Sequence, residues 1–255
     1  MTGETDARFV IVNADDFGLS AGINRGIIGA HERGIVTSAS LMVRWPDAEE
    51  AAALARSHPS LSVGLHLDMG EWIYRDGDWQ PLYQVLPPDA GHRHFLDEAR
   101  RQLDAFQALL GRAPSHLDSH QHCHRDEPLR SIAIEMSREL RIPLREIASP
   151  AAYLGDFYGQ CGKGESFPEL VSVASLRGIL AGLPPGITEL GCHPAAALDF
   201  DSPYRQERLA EFAALCDPCL METVSSEKLR LISFHEIRPP DSGDSPSASA
   251  VDSQQ

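Results

Sequence analysis

With 255 residues the chain has room for one α/β domain with a substantial core. Its 37 acidic against 22 basic residues give a net charge of −15, which repels phosphate backbones and excludes nucleic acid as an expected partner. Hydrophobic residues at 42% and charged residues at 23% are ordinary for a soluble globular protein, and no run approaches the roughly 20 apolar residues that span a bilayer.

Met1 to Ala7 lack the basic region of a signal peptide and only four apolar residues follow, so a cytoplasmic location is expected. Five cysteines (Cys123, Cys161, Cys192, Cys216 and Cys219) without framework spacing fit a reducing compartment. Cys216 and Cys219 have C-x-x-C spacing, but no second pair accompanies them and the spacing reads as incidental.

In chain order, Phe9-Val10-Ile11-Val12 predicts a buried strand. Ser20 is a candidate N-cap for a helix with Ile23, Ile27, Ile28 and Ala30 on one face, and Gly34 closes it. A second strand is expected over Ile35 to Val43, a helix over Pro46 to Ser57, and a third strand ending at His66. From Glu71 to Phe95 the periodicity lapses, predicting an irregular excursion over the strand ends that can act as a lid. Helices follow over Leu96 to Leu110, stopped by Gly111, and over Pro128 to Leu140. Tyr153 to Phe167 reads as irregular, and Ser172 to Leu183 as a helix. The strand to His193, a helix from Tyr204 to Leu215 and a closing strand from Leu229 to Ile237 complete one domain over residues 1–238. Residues 239–255, rich in serine, proline and aspartate, are expected to be disordered. Strands alternating with helices predict a parallel sheet or barrel.

Four apolar runs end at polar groups: Asp15-Asp16, His66, the segment Asp118 to His124, and His193. In parallel α/β folds such ends lie at the carboxyl edge of the sheet, where sites are built. Neighbouring side chains on a strand point to opposite sides, so Asp15 and Asp16 share a site only if a loop begins there. If Asp118 to His124 is extended, Asp118, His120, His122 and His124 share one face at about 6.6 Å spacing. Imidazole suits zinc and similar cations. One aspartate and two histidines leave coordination positions for water and substrate, and a spare aspartate and histidine can serve as base and acid. This is equipment for metal-assisted hydrolysis of an amide or ester. A non-catalytic metal-binding protein is the rival, although simple binding needs no spare base and acid.

The segments Val12 to Ser20 (VNADDFGLS), Gly64-Leu65-His66, His116 to His124 (HLDSHQHCH) and Cys192-His193-Pro194-Ala195 resemble the YdjC-like carbohydrate deacetylases. That family includes chitooligosaccharide deacetylases and deacetylase-like proteins of hopanoid gene clusters. The resemblance implies a distorted, TIM-like (β/α) barrel with its site at the C-terminal ends of the strands. It implies one divalent cation, Mg2+ or Zn2+, and hydrolysis of the N-acetyl group of an amino sugar. Carried over residue by residue, Asp16, His66 and His120 match the metal ligands, Asp15 the general base and His193 the general acid. His122 and His124 match the motif without an assigned role, and a homodimer is compatible with the family. Gln121 departs from the family pattern, which commonly has histidine there, and this bears on the substrate more than the chemistry. Asp118 is a candidate to orient a ligand histidine. Trp72, Tyr74, Trp79, Tyr83, Tyr153, Phe157 and Tyr158 either stack on sugar or pack their loops, and Arg205 and Arg208 either contact a substrate hydroxyl or phosphate or, the reading preferred, are surface charges.

Overall fold

A computed structural model describes residues 6–237. The strands are β1 (Arg8–Phe17), β2 (Ser38–Leu41), β3 (Ser62–Leu67), β4 (Gly70–Arg75), β5 (Asp78–Gln84), β6 (Leu117–Ser119), β7 (Ala152–Leu154), β8 (Gly186–Cys192) and β9 (Leu229–Leu231). The α-helices are α1 (Ala21–Arg33), α2 (Ala48–Ser57), α3 (His92–Leu110), α4 (Leu129–Leu140), α5 (Val173–Ala181), α6 (Gln206–Leu215) and α7 (Pro218–Ser226).

Seven strands form a parallel sheet in the order β6-β3-β2-β1-β8-β7, with β9 pairing the first residues of β1. A single parallel bridge, Leu117 to Leu144, extends the sheet beyond β6. Among the described residues no ladder joins the Leu144 segment to β7, so the barrel is open there and distorted. Buried strands in such a sheet read as continuous apolar runs, and Val10, Ile11 and Val12 are fully buried accordingly.

Helices α1 to α6 form close to where their apolar faces predict. Ser20 accepts from the Ile23 N–H at 3.2 Å and starts α1, whose Ile23, Ile27 and Ala30 are buried. Gly111, at φ 67°, ends α3 in the left-handed conformation that glycine adopts without strain.

Several boundaries differ from expectation. The second strand is reduced to β2, because Ile35 and Val36 are buried in the connection from α1 without pairing. The excursion after Glu71 contains the antiparallel hairpin β4–β5, turned by Asp76 and Gly77, both at positive φ. Pro81 hides this strand from a sequence reading, yet a two-stranded ribbon tolerates it because its missing N–H weakens only one ladder. The stretch from Tyr153 overlaps β7, which pairs with β8. Helix α7 was not expected; Asp217 caps it by accepting from the Cys219 N–H at 2.8 Å. The C-x-x-C spacing is therefore the junction of α6 and α7, and both cysteines are free. The closing strand stops at Leu231 and turns into a 3-10 segment at Phe234–Glu236. The expected disordered tail, residues 239–255, lies outside the described residues.

Candidate active site

The strand ends converge on a cavity of about 940 Å3. Asp15 and Asp16 both line it although they are adjacent in β1. The register against β2 slips between Ala14 and Phe17, and Asp16 takes a left-handed φ of 67°. A bulge inside the strand, rather than a loop after it, thus turns both carboxylates to one side. Such a backbone costs on the order of 1 kcal/mol and must be held by its surroundings. Here the Gly18 N–H donates to Asn24 Oδ1 at 2.8 Å and Met42 N–H to the Phe17 carbonyl at 2.7 Å.

His66, near the end of β3, places Nε2 3.4 Å from Asp16 Oδ1 and is held through Nδ1 by Asp118 Oδ1 at 2.8 Å. The orienting role expected of Asp118 is therefore present as a contact. Gly64, two residues earlier, is required by crowding: a Cβ there would lie 2.4 Å from the His116 ring. His116 stacks on Phe234 at 3.8 Å between centroids. His120, one residue after β6, brings Nδ1 to 3.0 Å from Asp16 Oδ1.

The extended arrangement of the histidine segment is overturned. The chain leaves β6 at Ser119 and enters a 3-10 turn, His120–Arg125, in which Gln121 and His122 have φ of 49° and 55°. His120 joins Asp16 and His66, whereas His122 and His124 are directed to a different cluster with Glu146. Gln121 clamps the hairpin, its side-chain amide donating to and accepting from the Trp72 backbone at 2.9 Å each.

His193 follows β8. Its Nε2 lies 3.9 Å from Asp15 Oδ2, its backbone N–H donates to Glu211, and Tyr158 and Tyr204 face it edge-on. Asp15, Asp16, His66, His120 and His193 thus share one cavity.

Two arginines that carry this site were missed. Arg145, fully buried, donates to both oxygens of Asp15 (2.7 and 2.8 Å) and to Glu189 Oε1 (2.7 Å), and forms an ion pair with Asp118 Oδ2 at 2.7 Å. Its signal was available, because Ile142-Pro143-Leu144 ends at Arg145-Glu146 just as the other apolar runs end at polar groups. Arg208, expected at the surface, is buried and pairs with Asp16 Oδ2 at 2.6 Å. It lies on the inward face of α6 with Glu211, while Arg205 stays half-buried. Of the aromatics, Trp72, Tyr74, Trp79, Tyr153 and Tyr158 line the cavity. Phe157 is core, and Tyr83 donates to Asp68 at 2.9 Å and packs on Trp45.

The electrostatics follow from many buried charges around few guanidinium groups. Burial opposes ionisation of Asp16, yet Arg208 and His120 hold its carboxyl well below the usual range. Asp15 is likewise lowered, Arg145 and His66 overcoming burial. Burial disfavours charged imidazole at His66 and His120, but Asp118 and Asp15 raise the first to about 10, and Asp16 and Glu71 the second to about 9. At His193 burial wins and the imidazole falls to about 4, against Asp15 and Asp16. Burial also raises Glu211 to about 8.

This arrangement fits a divalent cation. Asp16, His66 and His120 each offer a ligand atom within 4.8 Å of the others. The outer nitrogen of His66 is fixed by a carboxylate, as ligand histidines usually are. The carboxylates that raise both imidazoles, Asp118 and Asp15 at His66 and Asp16 and Glu71 at His120, would equally favour a bound cation. Asp15, His66 and Asp118 are also close enough to ligate, but Arg145 already occupies both carboxylates.

A distorted (β/α) barrel with a buried Asp–His–His cluster at the carboxyl ends of its strands is the class that fold and site define. The family model described as YdjC-like protein matches residues 9–226, and the chain belongs to that family. A carbohydrate deacetylase of Geobacillus stearothermophilus is 32% identical over 250 residues, covering 90% of this chain and 98% of that one. A chitooligosaccharide deacetylase of Serratia marcescens is 31% identical over 265 residues, covering 90% and 99%. The crystal structure of a putative cellobiose-phosphate cleavage protein from Enterococcus faecalis superimposes with a TM-score of 0.75 at 24% identity, covering 91% of this chain and 99% of that one. Among the described residues no helix is long and apolar enough to cross a membrane.

Proposed function

We propose that the protein is a metal-dependent carbohydrate N-deacetylase, hydrolysing the acetamide of an amino sugar to acetate and the free amine. The observation that carries this reading is the convergence of Asp15, Asp16, His66, His120 and His193 on one cavity rimmed by aromatic rings. The relatives named as carbohydrate and chitooligosaccharide deacetylases, matched over nearly their whole length, support the substrate class.

Asp16, His66 and His120 hold the cation, and two imidazoles with one carboxylate favour zinc over magnesium. When bound, it polarises the acetamide carbonyl and acidifies water. Arg145 keeps Asp15 ionised and fixed in place, so that Asp15 accepts the proton of the attacking water. His193 returns that proton to the departing amine nitrogen. Its resting imidazole, held neutral by burial, lies with Nε2 3.9 Å from Asp15 Oδ2 and would receive the proton once the two close to hydrogen-bond distance. Arg208 and Glu211 position Asp16 and the His193 backbone from α6.

The test is acetate release from a panel of N-acetylated amino sugars by metal-stripped protein with zinc or magnesium added back. Release that requires the cation is the expected result. Asp15→Asn is expected to lower kcat by about 100- to 10,000-fold while still binding metal. Substantial turnover by that variant would remove Asp15 from the role of base.

A further inference from the structure

We propose that His122, His124 and Glu146 form a second metal site, separate from the Asp16 cluster, that takes a zinc-like divalent transition ion. The three residues each offer a ligand atom within 4.8 Å of the others and share no residue with the first cluster. Two of the donors are unsatisfied, since His122 Nδ1 and His124 Nε2 are buried without a hydrogen-bond partner. His124 is wholly buried. In each ring the other nitrogen is engaged: His124 Nδ1 with Ser119 Oγ at 2.7 Å, and His122 Nε2 with the Tyr153 hydroxyl at 3.4 Å. Rings fixed through one nitrogen with the other left open are arranged as ligand histidines are.

The third donor is already adjacent, Glu146 Oε2 lying 3.5 Å from His122 Nδ1. Zinc–nitrogen bonds of about 2.0–2.1 Å put tetrahedral ligand atoms about 3.3 Å apart, so small side-chain rotations close the set. Two imidazoles and one carboxylate suit zinc, cobalt or copper, whereas magnesium prefers six oxygens. His122 and Glu146 line the main cavity, so a remaining coordination position faces the space that receives substrate. One group competes. Arg125 forks onto both Glu146 oxygens at 2.7 Å, and its side chain, 49% exposed, has solvent to turn into when a metal takes the carboxylate.

Metal-stripped full-length protein titrated with Co2+, followed by visible absorbance and elemental analysis, tests the site. The wild type is expected to bind two equivalents. His122→Asn and Glu146→Gln should each bind one, and His66→Gln should also bind one but retain the cobalt spectrum of the second site. Arg125→Gln should bind its second equivalent about two- to fivefold more tightly, the size of a partly exposed ion pair removed. Circular dichroism melts establish that each variant is folded, and the buried His124 is left intact for that reason. A single equivalent in the wild type that disappears in His66→Gln would overturn the second site while leaving the first. Two equivalents persisting in both folded His122→Asn and Glu146→Gln would overturn the ligand assignment. A single equivalent in the wild type that persists in His66→Gln and disappears in His122→Asn would count against the deacetylase reading and not against this one.

Discussion

The floor and the wall of the cavity are built on opposite principles. The floor consists of side chains at the ends of β1, β3, β6 and β8, and its acids and arginines are buried and tied to one another. The wall consists of the β4–β5 hairpin and the segment after β7, with Trp79 53% exposed and the hairpin fastened through Gln121. Chemistry that tolerates little displacement is placed on the sheet. Contacts that select a ligand sit on segments that can change without disturbing it.

The sharpest way to break this comparison is Arg145→Met. One buried guanidinium pairs with Asp15, Asp118 and Glu189, each at 2.7 Å. Removing it leaves buried carboxylates uncompensated, and a loss of about 3–5 kcal/mol is expected in urea unfolding. A loss below about 1 kcal/mol would mean that the floor is not organised around this arginine.

How much of this was legible follows from where the information resides. The parallel barrel could be read from apolar runs alternating with amphipathic helices, because both periods are local. Asp15, Asp16, His66 and His193 stand at or close after the ends of such runs and His120 in a histidine-rich segment after one, but the choice of His120 and the role of each residue came from the resemblance to the YdjC-like deacetylases. The hairpin could not be read, since Pro81 and the polar residues around it mask the alternation of a ribbon exposed on much of its surface. Arg208 and Glu211 were hidden for another reason. A charged residue on a helix looks solvent-exposed until the partner that neutralises it, here 192 residues away in β1, is known. The split between His120 and His122 depends on two left-handed residues, Gln121 and His122, neither of which is glycine. Nothing in their identities announces that turn.

Within the floor, Asp118→Asn separates orientation from ligation. Asp118 touches His66 Nδ1 and Arg145 but belongs to neither end of the proposed ligand set. Metal affinity, measured by competition with a chelator, is expected to fall about 10- to 100-fold. An unchanged affinity would show that His66 is oriented without it.

A smaller effect should appear in the pH dependence of stability, through His116. Burial drives its imidazole down to about 3, against the pull of Asp118. A histidine whose folded pKa is depressed binds its proton more readily when unfolded. Its contribution is therefore present above about 6.5 and lost as pH falls through the window from about 6.5 to 3, by at most about 1.4 kcal/mol per pH unit. Urea unfolding at pH 7, 6 and 5 should show a steeper decline in the wild type than in His116→Asn, whose amide does not titrate. Parallel declines would mean that the ring already carries its proton in the fold.

Trp79→Ala probes the wall and should have the smallest effect of all. The indole is largely exposed and packs edge-on against Tyr74 at 5.7 Å, so its removal should change stability by no more than about 0.5 kcal/mol. If the wall only receives the sugar, the loss should raise KM a few-fold and leave kcat within about twofold, because binding equal in ground and transition states is what such a contact supplies. A fall in kcat with unchanged KM would join wall to floor. The hairpin would then help to assemble the reacting geometry through Gln121, which follows His120 directly, and the division between the two regions would fail at that residue.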